Sequence, residues 1–117
     1  MNVLLIEDSP AIQKALVMLL TRLVPNGLSV ISSDNGKDAF KLLTKNSFDL
    51  IITGLNEDSK SSFLDKILKN TLLSKKSIII YSSQKPAMDL SKTPNIKHVD
   101  IMGGMEKLAD EIKSLIN

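Results

Sequence analysis

Residues 3–27 read VLLIEDSPAIQKALVMLLTRLVPNG. Val3-Leu4-Leu5-Ile6 is a continuous apolar run with no polar alternation, the pattern of a strand covered on both faces of a sheet. Two acids, Glu7 and Asp8, end it. Ser9 then supplies a capping hydroxyl, and Pro10 sits at the first helical position, where its missing N–H costs nothing. Ile12, Leu16, Leu19, Leu20 and Leu23 follow at helical spacing as one apolar stripe, and Pro25-Asn26-Gly27 stops the helix. A doubly covered strand feeding directly into an amphipathic helix is the first half of a β/α crossover unit. It predicts a parallel sheet.

Outward from that stretch the same unit recurs. Leu28–Ile31 reads as a second short strand, and Asp34-Asn35-Gly36 turns into a helix carrying Ala39, Phe40, Leu42 and Leu43. Leu50-Ile51-Ile52 is a third strand. Phe63, Leu64, Ile67 and Leu68 mark a third helix capped by Ser61 or Ser62. The fourth strand, Ile78-Ile79-Ile80-Tyr81, is strongly β-branched. Between it and a fifth strand at Ile96–Ile101, Pro86 and Pro94 leave room for only a short or irregular fourth helix. After Gly103-Gly104, the residues Met105, Leu108, Ala109, Ile112, Leu115 and Ile116 stripe a last helix. Five alternating units predict an α/β fold with a doubly wound, five-stranded parallel sheet, as one domain over residues 1–117.

Composition narrows the function classes. The chain has 117 residues, 43% hydrophobic and 24% charged, enough for one packed core and too few for two. It contains no cysteine, which removes disulfides and thiolate metal sites and makes a reducing cytoplasm the expected setting. The opening apolar run is too short for a signal peptide or a membrane span. Fifteen Lys+Arg against thirteen Asp+Glu give a net charge of +2, spread singly or in pairs such as Lys75-Lys76 rather than as a basic stripe. That is a solvated surface and only weak evidence for nucleic acid.

In doubly wound sheets the site lies outside the carboxyl ends of the strands. The residues to weigh are therefore Glu7-Asp8, Ser32-Ser33, Gly54 to Asn56, Ser82-Ser83 and Ile101-Met102. Glu7 and Asp8 could hold a hard cation such as Mg²⁺ with a carbonyl from the Gly54 to Asn56 loop. The plainer reading, favoured on pattern alone, is that one of them caps or flanks the first helix, whose N-terminus attracts a carboxylate. Ser82 can donate to a phosphoryl oxygen or simply serve as a turn residue. His98, the only histidine, reads as a strand residue rather than a ligand. No phosphate-binding glycine loop, zinc-protease motif or nucleophile elbow is present, and one histidine without cysteine cannot readily build a nucleophile, base and orienter. The chain is expected not to be an enzyme.

These residues together resemble the receiver domains of bacterial response regulators, flavodoxin-like in fold. The matching pieces are VLLIEDSP with its acidic pair, DNGKDAFKLL before FDLIIT, the hydroxyl Ser82 after the fourth strand, and the closing amphipathic helix. They cover nearly the whole chain in the family's order. The resemblance implies that Glu7, Asp8 and the carbonyl of Asn56 match the family's Mg²⁺ site, that Ser82 matches the phosphoryl-gripping hydroxyl, and that His98 stands at the aromatic switch position. The departures carry more weight. Gly54 stands where the phospho-accepting aspartate belongs, and Ile101 or Met102 where the lysine belongs. Glu57-Asp58 replaces the usual Met-Pro.

Phosphotransfer to a receiver needs a carboxylate at one point in space, and glycine offers no oxygen beyond its backbone. Without a phosphoryl dianion nothing retains the lysine, so the two losses agree. Asp58 as a displaced acceptor is set aside as a solvated loop acid. The expectation is a pseudo-receiver that works through protein–protein contact, with no cofactor and at most weak Mg²⁺ at a vestigial site. Its partner surface is expected around the Gln84 to Asn95 segment, the fifth strand and the last helix. Nucleic acid is expected only through a further attached domain, and a homodimer is left open. The rival expectation is a small-ligand switch or unconventional enzyme, with Glu7, Asp8 and Ser82 around a molecule in the space a side chain at 54 would have filled.

Overall fold

The computed structural model describes residues 1–54, 77–82, 95–100 and 104–116. Its strands are β1 (Asn2–Ile6), β2 (Ser29–Ser33), β3 (Leu50–Thr53), β4 (Ser77–Ser82) and β5 (Ile96–Asp100). They form one parallel sheet in the order β2-β1-β3-β4-β5. The described helices are α1 (Pro10–Leu23), α2 (Gly36–Lys45) and a C-terminal helix, α3 (Met105–Ile116). The expected third helix and the short or irregular fourth lie outside the described residues.

The apolar runs are explained by cover on both faces. Leu4, Ile6, Ile51, Ile78 and Ile80 face Ala39 and Leu43 of α2 and Phe48. Val3, Leu5, Leu50, Ile52 and Ile79 face Leu16, Leu19 and Leu20 of α1 and Leu108 and Ile112 of α3. The three central strands β1, β3 and β4 therefore carry no solvent face over most of their length, and each fully buried Leu or Ile contributes about 1.5–3 kcal/mol.

Local chemistry sets the helix starts. Ser9 caps α1 by accepting from the Ile12 amide at 3.4 Å, with Pro10 next to it. Asn35 caps α2 by accepting from the Asp38 amide at 2.8 Å, while its own amide group donates to the Asp38 carboxylate at 3.0 Å. Gly27 closes the turn after α1 with φ of 76°, a conformation glycine adopts without strain. The second strand runs Ser29–Ser33 rather than Leu28–Ile31, because its limits follow pairing with β1, Asn2↔Ser29 through Ile6↔Ser33, and not its apolar residues. At one edge of the sheet it is only half covered, which weakens the apolar signal there.

Candidate functional site

The carboxyl ends of β1, β3 and β4 are neighbours in register. Ile6 pairs with Thr53, and Thr53 with Ile80. One step further along, Glu7, Gly54 and Tyr81 form a row across three adjacent strands, on the face that α1 and α3 cover. The Gly54 amide donates to the Ile6 carbonyl at 2.8 Å, and the Glu7 amide to the Ser33 carbonyl at 2.9 Å, so the backbone of the row is tied on both sides.

Glu7 is buried, at 2% exposure, although it is a carboxylate. The structure gives it partners at every oxygen. Oε1 accepts from the Ser9 amide at 3.0 Å, and Oε2 accepts from the Tyr81 hydroxyl. Its backbone carbonyl accepts from the Gln13 side-chain amide. Glu7 thus flanks the start of α1 by accepting from the amide of Ser9, and the cap itself is Ser9, not either acid. Asp8 is exposed.

Tyr81 is the residue that sequence reasoning missed. It was legible as strand, but its role comes from the row it occupies. Its ring is buried at 4% exposure among Leu5, Ile52 and Val99 on the α1 face, and its hydroxyl reaches Glu7. A Cβ built on Gly54 would lie closer than 3.0 Å to two phenol atoms of Tyr81 and to Glu7 Oε2. The space a side chain at 54 would take is therefore filled by the phenol and the carboxylate. This corrects the premise of the small-ligand alternative, which placed a molecule there. The available signal was strand parity: Tyr81 lies two residues beyond Ile79, on the same face as Glu7 and Gly54.

Burial sets the electrostatics. It pushes the Glu7 carboxyl above the usual carboxylate range; the donors at Tyr81 and Ser9 oppose that, and neighbouring Asp8 adds to it. The Tyr81 phenol is pushed well up, first by burial, then by its bond to Glu7 and the negative charge of Glu7 and Asp8. A donor that holds its proton and a buried acceptor make a self-satisfied pair.

The other expected site residues place as follows. Ser82 is the last residue of β4, paired with Asp100. His98 lies in β5 opposite Ile80 and is half-buried. Asn56, Asp58, Ile101 and Met102 lie outside the described residues. Of the groups expected to hold a cation, Glu7 has a donor on each oxygen, Gly54 brings no side-chain ligand, and among the described residues no three His, Cys, Asp or Glu side chains cluster. Thr53, fully buried beside Gly54, has a hydroxyl with no partner among the described residues. No described helix is long and apolar enough to cross a membrane.

No protein-family model matches the chain, and no curated protein matches it in sequence. Solved structures do resemble it. The chemotaxis response regulator CheY4 of Vibrio cholerae superposes with a TM-score of 0.75 at 17% identity, covering 97% of each chain. Response regulator TrrA of Thermotoga maritima, in complex with Mg²⁺ and beryllium fluoride, gives 0.76 at 20% identity over 97% of each chain. The complex of histidine kinase ThkA with TrrA gives 0.75 at 19% identity, over 99% of this chain and 98% of that one. The strand order, the two covered faces and these superpositions agree that the chain has the flavodoxin-like fold of response-regulator receiver domains.

Proposed function

We propose that this chain is a pseudo-receiver: a module of two-component signalling that acts by contact with a protein partner, without aspartyl phosphorylation and without a catalytic role of its own. One observation carries the reading. At the strand end where a receiver would present its acceptor carboxylate, the chain has Gly54, and the volume beside it is occupied by Tyr81 hydrogen-bonded to Glu7. At position 54 the chain offers no nucleophile, and the phenol takes the space its side chain would need. The fold neighbours support the signalling context, since TrrA was solved with its histidine kinase. The partner surface we favour combines β5, α3 and the Gln84 to Asn95 segment, of which all but Asn95 lies outside the described residues. On α3, Met105 and Leu115 are exposed apolar side chains among charged ones, a mixture suited to a protein interface.

Incubating the chain with acetyl phosphate and Mg²⁺ and weighing the intact protein tests the reading. The expected mass is unchanged. An acid-type phosphoryl adduct on any aspartate overturns it. The small-ligand or enzymatic alternative has no specific support here, because the space it needed holds the phenol.

A further inference from the structure

We propose that Tyr81 is an internal ligand of the strand-end crevice: its phenol takes the volume of a residue-54 side chain and donates to Glu7 Oε2, so the chain itself disfavours a cation in the crevice. This rests on the reading that position 54 has lost its acceptor, and it adds how the vacated site is kept shut. Three observations converge. The Glu7–Gly54–Tyr81 row lies across adjacent strands, fixed by the β1–β3 and β3–β4 registers. The clash at a Gly54 Cβ is with the phenol carbon bearing the hydroxyl, with that hydroxyl and with the Glu7 oxygen it binds, so one contact both fills the space and engages the carboxylate. The second carboxylate oxygen accepts from the Ser9 amide, so a cation would have to compete with a donor at each oxygen of Glu7.

The contact also spans three strands. Ser9 at the start of α1, Glu7 after β1, the Gly54 backbone after β3 and Tyr81 in β4 form one connected group. A phenol locked there holds the tips of β1, β3 and β4 in a single arrangement. The domain's working shape is then set by the chain's own tyrosine and not by an exchangeable ligand at this crevice.

Tyr81 is the only tyrosine and the chain has no tryptophan, so tyrosine chemistry reports on this position alone. Nitration with tetranitromethane, followed by mass, is expected to run at least tenfold slower in the folded chain than in urea. Gly54→Ala claims the phenol's place, and in the folded variant the nitration rate rises toward that of the unfolded chain. Should Gly54→Ala fail to fold, Gly54→Ala/Tyr81→Val is read instead, and recovery of the fold supports the steric pairing. Mn²⁺ binding, followed by the free-ion paramagnetic signal, is expected to be at least tenfold tighter in Tyr81→Ala than in the wild type. Fast nitration of the folded wild type, a Gly54→Ala protein as protected as wild type, an unfolded double variant, or equal Mn²⁺ binding would each overturn the proposal. Each readout is independent of the acetyl phosphate result, so failure of the functional reading and failure of the plug can be told apart.

Discussion

Removing one oxygen from Tyr81 is the sharpest probe of the energetics. Tyr81→Phe keeps the ring and its packing among Leu5, Ile52 and Val99, and deletes only the donor to Glu7 Oε2. Hydrogen bonds to charged groups contribute about 1.5–3 kcal/mol, and here the acceptor is left buried with one oxygen unpaired. A loss near 2 kcal/mol is the expected scale when Glu7 is ionised. With about 2.1 cal/mol/K of unfolding entropy per residue over a chain of this length, that corresponds to roughly 8 °C in Tm. The pH dependence carries the sign. Glu7 is raised in the folded state, so its contribution to stability is fully present below its unfolded value and declines as pH rises through the folded one. The Tyr81 bond opposes the elevation, so its loss raises the folded Glu7 value further. The cost of Tyr81→Phe should therefore be small near pH 4.5 and grow toward pH 8. Urea unfolding followed by circular dichroism at both pH values measures it, with Glu7→Gln as a control whose stability lacks this slope. A cost below about 0.5 kcal/mol at pH 8, or one equal at both pH values, would refute the argument, since about 0.5 kcal/mol is the weakest net value expected of any buried hydrogen bond.

Two further outcomes follow from the same structure. The Tyr81 phenol is raised above its ordinary value, so the folded chain favours its protonated form; stability should be intact below about pH 10 and fall above it as the unfolded chain ionises, with absorbance at 295 nm rising only on unfolding. A phenolate appearing while circular dichroism stays native would contradict the buried contact. Ser9→Ala removes the α1 cap, which accepts from the Ile12 amide, and should cost about 1 kcal/mol in urea unfolding, where an unchanged midpoint would show that the cap is idle.

Much of the fold was legible because its causes are local or periodic. Val3–Ile6 declared a doubly covered strand by apolarity alone, and every one of those side chains is buried. Ser9-Pro10 announced the start of α1 because a cap acts within three residues of itself, whereas before α2 only the turn Asp34-Asn35-Gly36 was legible and its cap, Asn35, came from the structure. The edge strand was harder. Ser32 and Ser33 carry no apolar signal, and only their pairing with Leu5 and Ile6 makes them strand. At the site, Glu7 and Gly54 could be singled out as strand-end residues, and the flanking role of one acid at α1 could be foreseen from helix electrostatics.

What the sequence determined by itself is the β/α alternation, the two-faced core and the absence of a carboxylate at position 54, since each is a property of residues and their spacing along the chain. What only the tertiary structure decided is the company Gly54 keeps. Tyr81 stands 27 positions further along the chain, and nothing in its neighbourhood of isoleucines and serines distinguishes an inward-packed ring from one that reaches a buried acid. Register across β1, β3 and β4 brings Glu7, Gly54 and Tyr81 into one row, and steric exclusion within that row lets the phenol in only because residue 54 has no Cβ.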